Sequence, residues 1–336
     1  MNNDRIQEIL DLMEEARLDY FLISDPQSIA YCTGYYNDPH ERMFVFMISK
    51  HGNHTLFMND LFYLDHDLDV NIVWHKDGQD AIQTIVDEMH FPGRIGIDKN
   101  WASHFLLDLM KKLPDAKYIN ASPCVDLVRM KKDLQEQVLM IESSKINDAV
   151  MEEIIPFIQE GVTEKQLAKK LDELFFNHHS TCYGAIVAFG KNAADPHHEN
   201  DDTLLRKGDC VLIDMGCVYK GYCSDMTRTF FYEGILEEEI KVYEIVKKAN
   251  EAAEAMIKPG VKLSDIDKCA RKVISDEGYG KYFTHRLGHF IGRDVHEYGD
   301  VSSVNEMEVE EGMIFSIEPG IYLEGNFGVR VEDLVM

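Results

Sequence analysis

Positive charge is scarce in this chain: 34 Lys and Arg face 60 Asp and Glu, a formal net charge of −26 over 336 residues. A surface of that sign repels phosphate backbones and anionic lipid, which argues against nucleic acid or a membrane as partner. No C-x-x-C pair occurs. The seven cysteines are odd in number and scattered, so neither a disulfide framework nor a zinc ribbon is indicated. Reduced, mostly buried thiols in a cytoplasmic protein are the expectation. Long apolar runs are missing too. The cleanest, Met43 to Ile48, falls far short of the ~20 residues a membrane-spanning helix needs. The start, MNNDRIQEILDLMEEA, reads as a polar amphipathic helix and not as a signal peptide.

What remains is a globular composition, 45% hydrophobic and 28% charged, of a length that suggests two domains. In the first part, short β-like runs (Tyr20–Ile23, Met43–Ile48, Thr55–Met58) alternate with helical patterns (Ile6–Ala16, Asp80–Met89, Ala102–Leu113). That alternation predicts an α/β domain over residues 1–128. It holds no cluster of metal-binding residue types; His40, Glu41 and Arg42 share one loop. A charged stretch, Arg129 to Asp133, leads into a helix with Leu134, Val138 and Ile141 on one face, and a second domain is expected over 129–336.

The second domain shows a faint internal echo. Gly161-Val162 precedes a helix with Thr163 and Gln166 spaced as a capping box and Leu167, Leu171 and Leu174 on one side. Gly260-Val261 precedes another, with Ser264 as the expected N-cap and Ile266, Ala270 and Val273 behind it. Strand-like segments follow: Asp209–Asp214, a turn at Cys217–Gly221, a returning strand Tyr222–Tyr232, then Met313–Ile317 and Gly328–Val335.

Five residues in these segments point to chemistry: Asp214, Asp225, His289, Glu318 and Glu332. Four are carboxylates in contexts otherwise fit for burial, where an ionised acid costs several kcal/mol unless paired, hydrogen-bonded or bound to metal. Asp214 and Asp225 stand across an expected hairpin, and Asp225, Thr227 and Thr229 share a strand face. Four carboxylates balance two divalent cations in charge. Oxygen donors with one imidazole suit Mn²⁺, Co²⁺ or Fe²⁺ and admit Zn²⁺. Such a pair lowers the pKa of a bound water and clamps an oxyanion.

The segments Ile213-Asp214-Met215-Gly216, Ser224-Asp225-Met226-Thr227-Arg228-Thr229, Gly288-His289 with Val295-His296-Glu297, Ser316-Ile317-Glu318-Pro319-Gly320 and Gly328 to Asp333 resemble those of the pita-bread metallopeptidases, in the proline dipeptidase and aminopeptidase P branch. The first part resembles the creatinase-like N-terminal domain, with Tyr31-Cys32-Thr33-Gly34-Tyr35 in the expected place. The resemblance implies an α/β N-terminal domain and an α+β pita-bread catalytic domain with pseudo-two-fold symmetry. It further implies two divalent metal ions, Mn²⁺ first among them, held by Asp214, Asp225, His289, Glu318 and Glu332, with Asp225 and Glu332 bridging.

By the same resemblance His197, His296 and Glu318 are catalytic, and His197, His285, His296 and Arg330 contact substrate. Arg330 would orient Glu332 or Asp225, or meet a substrate carboxylate. The implied substrate is a small proline-containing peptide and the implied assembly a homodimer. His198 is expected at the surface, and His178-His179 in a loop. Phe290 and Arg293 depart from the family's usual residues and bear on substrate range. Relatives continue past the position of Met336, so a truncated C-terminus is expected. Three functions remain open: hydrolysis of Xaa-Pro dipeptides, release of the first residue from longer Xaa-Pro peptides, and an inactive peptide-binding module.

Overall fold

The computed structural model describes all 336 residues, which divide into two compact units, Met1–Arg129 and Met130–Met336.

Unit 1 is built on a six-stranded sheet: β1 (Tyr20–Ile23), β2 (Val45–Ser49), β3 (Thr55–Asn59), β4 (Asn71–His75), β5 (Arg94–Ile97) and β6 (Lys117–Asn120), in the order β4-β3-β2-β1-β5-β6. β2 runs antiparallel to β1 and β3, and the other pairings are parallel. The period of two sends Phe21, Ile23, Phe46 and Ile48 to one face, against Ile9 and Met13 of α1 (Asn3–Glu15). Tyr20, Leu22, Val45 and Met47 go to the other, against Ile82 and Ile85 of α3 (Ala81–Glu88) and Leu109 of α4 (Ser103–Lys112). Both faces are covered, which is why these strands read as continuous apolar runs. α2 (Pro26–Thr33), lying between β1 and β2 in the chain, ends at Gly34 with φ +80°, a left-handed turn that glycine adopts without strain. α5 (Ser122–Met130) closes the unit.

Unit 2 opens with two helices, α6 (Leu134–Ile154) and α7 (Glu164–Asn177). β7 (Thr181–Cys182), β8 (Ile186–Phe189), β9 (Cys210–Met215), β10 (Cys217–Tyr219), β11 (Tyr222–Cys223) and β12 (Met226–Phe231) follow. A second pair, α8 (Glu237–Glu254) and α9 (Leu263–Asp276), precedes β13 (Gly288–His289), β14 (Asp300–Val301), β15 (Phe315–Ile317), β16 (Gly320–Leu323), β17 (Phe327–Arg330) and β18 (Asp333–Val335). The order of two helices and then strands thus occurs twice. β9 lies between β8 and β12, and β15 pairs with β18 and β16 with β17, all antiparallel.

The capping box forms as its spacing predicts: Thr163 and Gln166 each accept the other's backbone N–H. Leu167, Leu171 and Leu174 are buried beneath it. Other expectations need correction. Ser264 is not the N-cap of α9. Lys262 holds that place, and Ser264 lies fully buried in the first turn, donating to Glu306. On α6 the apolar stripe faces outward: Leu134, Val138 and Ile141 are 79%, 57% and 41% exposed. Its buried side mixes Met140, Val150, Met151 and Ile154 with the polar Glu136, Ser143 and Asn147. Ser143 donates to the Tyr222 carbonyl (3.2 Å), Asn147 to the Met215 carbonyl (3.1 Å), and Glu136 accepts from the Tyr222 hydroxyl (2.8 Å). Irregular backbone around β9–β11 needs those partners, and that requirement overrides the hydrophobic pattern.

Candidate active site

Asp214 lies on β9 directly opposite Thr227 of β12. The last rung of that ladder is Met215 with Met226, so Asp225 falls just past it, in the break between β11 and β12. His289 ends β13, which lies so close to β15 that a Cβ on Gly288 would come 1.8 Å from the Ser316 carbonyl oxygen. Only glycine fits there, and the His289 N–H then reaches the Ser316 hydroxyl at 3.0 Å. Glu318 occupies the break between β15 and β16, and Glu332 the break between β17 and β18. The returning strands expected to run unbroken through Asp225 and Glu332 are therefore interrupted at those residues. An interruption frees a side chain from strict alternation and lets segments distant in sequence aim at one point. The Glu332 N–H crosses to the Thr227 carbonyl (3.1 Å), which fixes that aim.

The point of convergence is His289 Nε2. Its Nδ1 lies 3.2 Å from the Phe290 carbonyl, an acceptor, so Nδ1 carries a proton and Nε2 faces the acids, offering a lone pair there when the ring is neutral. Nε2 lies 3.5 Å from Asp225, 3.6 Å from Glu318 and 3.9 Å from Glu332. These separations are long for hydrogen bonds and short enough for donors around a shared cation. Asp214 joins through Arg330, whose buried guanidinium donates to Asp214 (2.6 Å), the Thr227 hydroxyl (3.0 Å) and the Tyr322 hydroxyl (3.0 Å). Thr227 in turn donates to Glu332 Oε2 at 2.7 Å. Arg330 therefore orients Asp214 directly and Glu332 only through Thr227.

The charge balance of this cluster is uneven. Burial, and then repulsion from Asp225 and Glu318, pushes the Glu332 carboxyl well above its ordinary range. Burial pushes Glu318 up to about 7, with His289 and Arg330 acting the other way and Asp214 and Asp225 adding to the rise. Asp214 is raised by burial despite Arg330. Burial disfavours a charged His289, but Asp225 and Glu318 outweigh it and leave the imidazole raised. One guanidinium and one imidazole cannot hold four neighbouring carboxylates ionised together. Glu332 Oε1 is the only carboxylate oxygen in the chain buried without a hydrogen-bond partner. A buried carboxyl oxygen without a partner, facing the imidazole Nε2 and two further carboxylates, fits a divalent cation, which would hold these acids ionised.

A cavity of about 240 Å³ opens over these residues, and His197, His285 and His296 line it with Arg330. The His296 ring stands edge-on to His289 with centroids 4.3 Å apart, and burial, then the neighbouring His289 and Arg286, lower it to about 4. It is therefore a neutral ring with an N–H to donate. Burial likewise lowers His285 to about 4; its Nδ1 donates to the Arg286 carbonyl, and its Nε2 accepts from Tyr322 at 2.8 Å. Tyr322 itself accepts from Arg330, so these side chains form one directed chain.

Several pocket readings change in three dimensions. Phe290 is fully buried on Phe315 and does not line this cavity, and Arg293 lies over the Tyr222 ring, outside the lining. His198 is not a surface residue: its side chain is 12% exposed and bonded to Glu164. His178 caps the end of α7 and meets Glu153. Tyr183 and Arg286 line the cavity without having been singled out. Arg286 sits between His285 and the His289 motif, which was a usable signal; nothing local marks Tyr183.

Residues 138–336 match metallopeptidase family M24, and residues 5–131 the creatinase/prolidase N-terminal domain. The chain belongs to metallopeptidase family M24. An uncharacterized peptidase of Staphylococcus aureus (strain bovine RF122 / ET3-1) is 34% identical over 341 residues, covering 99% of this chain and 95% of that protein. A dipeptidase from Pyrococcus horikoshii OT3 superposes with a TM-score of 0.93 at 36% identity, over 99% of this chain and 94% of that one. An Xaa-Pro dipeptidase from Bacillus anthracis gives 0.91 at 28% identity, over 99% and 94%. This M24 peptidase thus has the creatinase-like domain followed by the pita-bread catalytic domain, and no helix in it is long and apolar enough to cross a membrane.

Proposed function

We propose that this M24 peptidase hydrolyses Xaa-Pro dipeptides, using two divalent cations, Mn²⁺ in the first instance. The observation that carries this is the orphaned Glu332 Oε1, buried where His289, Asp225 and Glu318 converge. Asp214, Asp225, His289, Glu318 and Glu332 would hold the metals, with Asp225 and Glu332 shared. When bound, the pair supplies Lewis acidity and a hydrolytic nucleophile at neutral pH.

The chain's own residues do the rest. Glu318 takes the proton of the attacking water and delivers it to the proline nitrogen as the bond breaks. His296 donates its N–H to the substrate carbonyl oxygen as negative charge develops there. His197 approaches from the Asp195–His198 loop and orients the scissile bond of the bound substrate for attack. A proline nitrogen has no N–H, so a site that asks for no donor from the scissile amide suits it. Arg330, already committed to Asp214, does not meet the substrate carboxylate. Arg286 does: it is exposed, lines the same cavity and makes no ion pair, so it complements the free carboxylate of a two-residue substrate.

The test is a peptide panel on metal-stripped protein, with and without Mn²⁺ or Co²⁺. EDTA should abolish hydrolysis and either ion should restore it; full turnover without metal sinks the proposal. Xaa-Pro should be cut faster than Xaa-Pro-Xaa or Xaa-Ala. Arg286→Ala should raise KM for Xaa-Pro about tenfold and leave Xaa-Pro-amide nearly unchanged. Faster hydrolysis of the longer peptides by the wild type would move the assignment to the aminopeptidase P reading.

A further inference from the structure

His197 poses a positional problem. Its side chain is exposed, its imidazole makes no hydrogen bond, and it rides on a loop, yet it lines the cavity. Something must place that loop. Its own backbone contributes only a local turn, with the His197 N–H on Asp195 Oδ1 at 3.0 Å and the His198 N–H on the Asp195 carbonyl at 3.2 Å.

The longer-range anchor is Glu164, the first residue of α7 and completely buried. Its Oε2 accepts from His198 Nε2 at 2.7 Å and from the Asp201 N–H at 3.0 Å. Its Oε1 accepts from the Phe189 N–H at 2.8 Å, at the end of β8, and from Asn192 Nδ2 at 2.9 Å. One carboxylate therefore ties a helix start, a strand end and both sides of the loop. The helix N-terminus favours its negative charge. Glu164, His198 and Asp201 also converge closely enough to suggest a cation site. The four donors already occupy both Glu164 oxygens, so the trio works as a clamp.

We propose that Glu164 is a positioning residue that acts through His198 to hold His197 over the cavity. This rests on the peptidase reading above for what His197 does there, but the clamp itself is independent of it. A pocket group held by a hydrogen-bonded neighbour loses its pre-set geometry when that neighbour is cut, and a displacement of about 1 Å can cost ~10²-fold in rate.

The experiment compares wild type, His198→Ala, His198→Gln, His197→Ala and the double variant His197→Ala/His198→Ala. Glu164→Ala could fail to fold, so His198 carries the test. Kinetics are measured on an Xaa-Pro dipeptide with Mn²⁺. Amide hydrogen exchange over residues 197–201 is measured on the metal-free protein. His198→Ala should lower kcat about ten- to a hundredfold with little change in KM, and speed exchange across the loop. His198→Gln, which can still donate to Glu164, should recover most of the rate. In the His197→Ala background, removing His198 should cost less than about twofold, because the two act as one unit. Wild-type kcat in His198→Ala overturns the proposal. So does a double variant that loses the full factor again, since His198 would then act independently of His197. If the wild type cuts no Xaa-Pro peptide, the peptidase reading fails on its own; unchanged loop exchange in His198→Ala would still overturn the clamp.

Discussion

The central strands of unit 1 and the strand breaks of unit 2 bury side chains under different rules. In β1, β2 and β3 every position is buried and nearly all are apolar. The buried charges near them are matched within the protein: Asp98 accepts three hydrogen bonds from Ser24 and Asp25, and Arg129 meets Asp25 and Ser28; the buried atoms of this unit left without a partner are all N–H donors, such as Trp101 Nε1, and none is a carboxylate oxygen. In unit 2, Asp225, His289, Arg330 and Glu332 are at most 9% exposed, with acids in excess and one oxygen left without a partner. The first arrangement is what packing favours. The second costs stability on its own and would become favourable with the proposed metals bound, the usual trade between stability and activity at a working site.

That contrast can be broken most sharply at Glu332. Glu332→Gln should abolish turnover, because it removes a charge shared by both proposed metals. The same change should stabilise the metal-free protein by about 0.5–2 kcal/mol, since it removes an acid repelled by Asp225 and Glu318. Thermal unfolding in EDTA and kcat in Mn²⁺ check both halves; a destabilised metal-free variant would show that the carboxylate is structurally satisfied after all. Phe46→Ala in unit 1 should do the opposite. It empties a fully buried site at a cost of about 3–5 kcal/mol, while kcat per folded molecule and metal content stay at wild-type values.

His296→Ala refines the picture within unit 2. It should lower kcat about 100- to 1000-fold, or ~2.7–4 kcal/mol, with two metals still bound. His289→Ala should lose metal and activity together. Elemental analysis separates the two, and loss of metal from His296→Ala would make it a ligand rather than a donor. The smallest effect is expected on the outer face of α6. Val138→Ala should change stability by no more than about 0.5 kcal/mol. Asn147→Ala, on the inner face, should cost about 1–3 kcal/mol by leaving the buried Met215 carbonyl unbonded. Equal costs measured by denaturant titration would mean that the outer stripe is covered in solution.

Much of unit 1 was legible because pattern and burial coincide there. Tyr20–Ile23 appears as a strand with the expected bounds, and the α3 and α4 patterns differ from the observed helices only at their ends. In unit 2 the five acid and imidazole positions stood out because each is the wrong residue type for its apolar surroundings, and each sits in a short motif. The contacts that organise them did not stand out. Arg330 reaches Asp214 across 116 positions, and His198 reaches Glu164 across 34. No local pattern carries such a pairing. His198 looked like a surface residue for that reason: a polar side chain beside another is indistinguishable from a solvated one until its partner is known.

The sequence by itself determined which chemistry was available: four carboxylates and an imidazole in segments fit for burial, an acidic surface, and two helix-then-strand stretches in one chain. Tertiary structure decided how that chemistry is held. It broke the strands at Asp225, Glu318 and Glu332 so that they meet at one imidazole. It committed Arg330 to Asp214. It turned Ser143 and Asn147 of α6 inward and left Leu134 and Val138 in the open. The reason is the same in each case. Apolar burial is nearly proportional to area and so can be read from a pattern, whereas a buried polar atom is stable only beside a particular partner, and that partner is fixed by the fold.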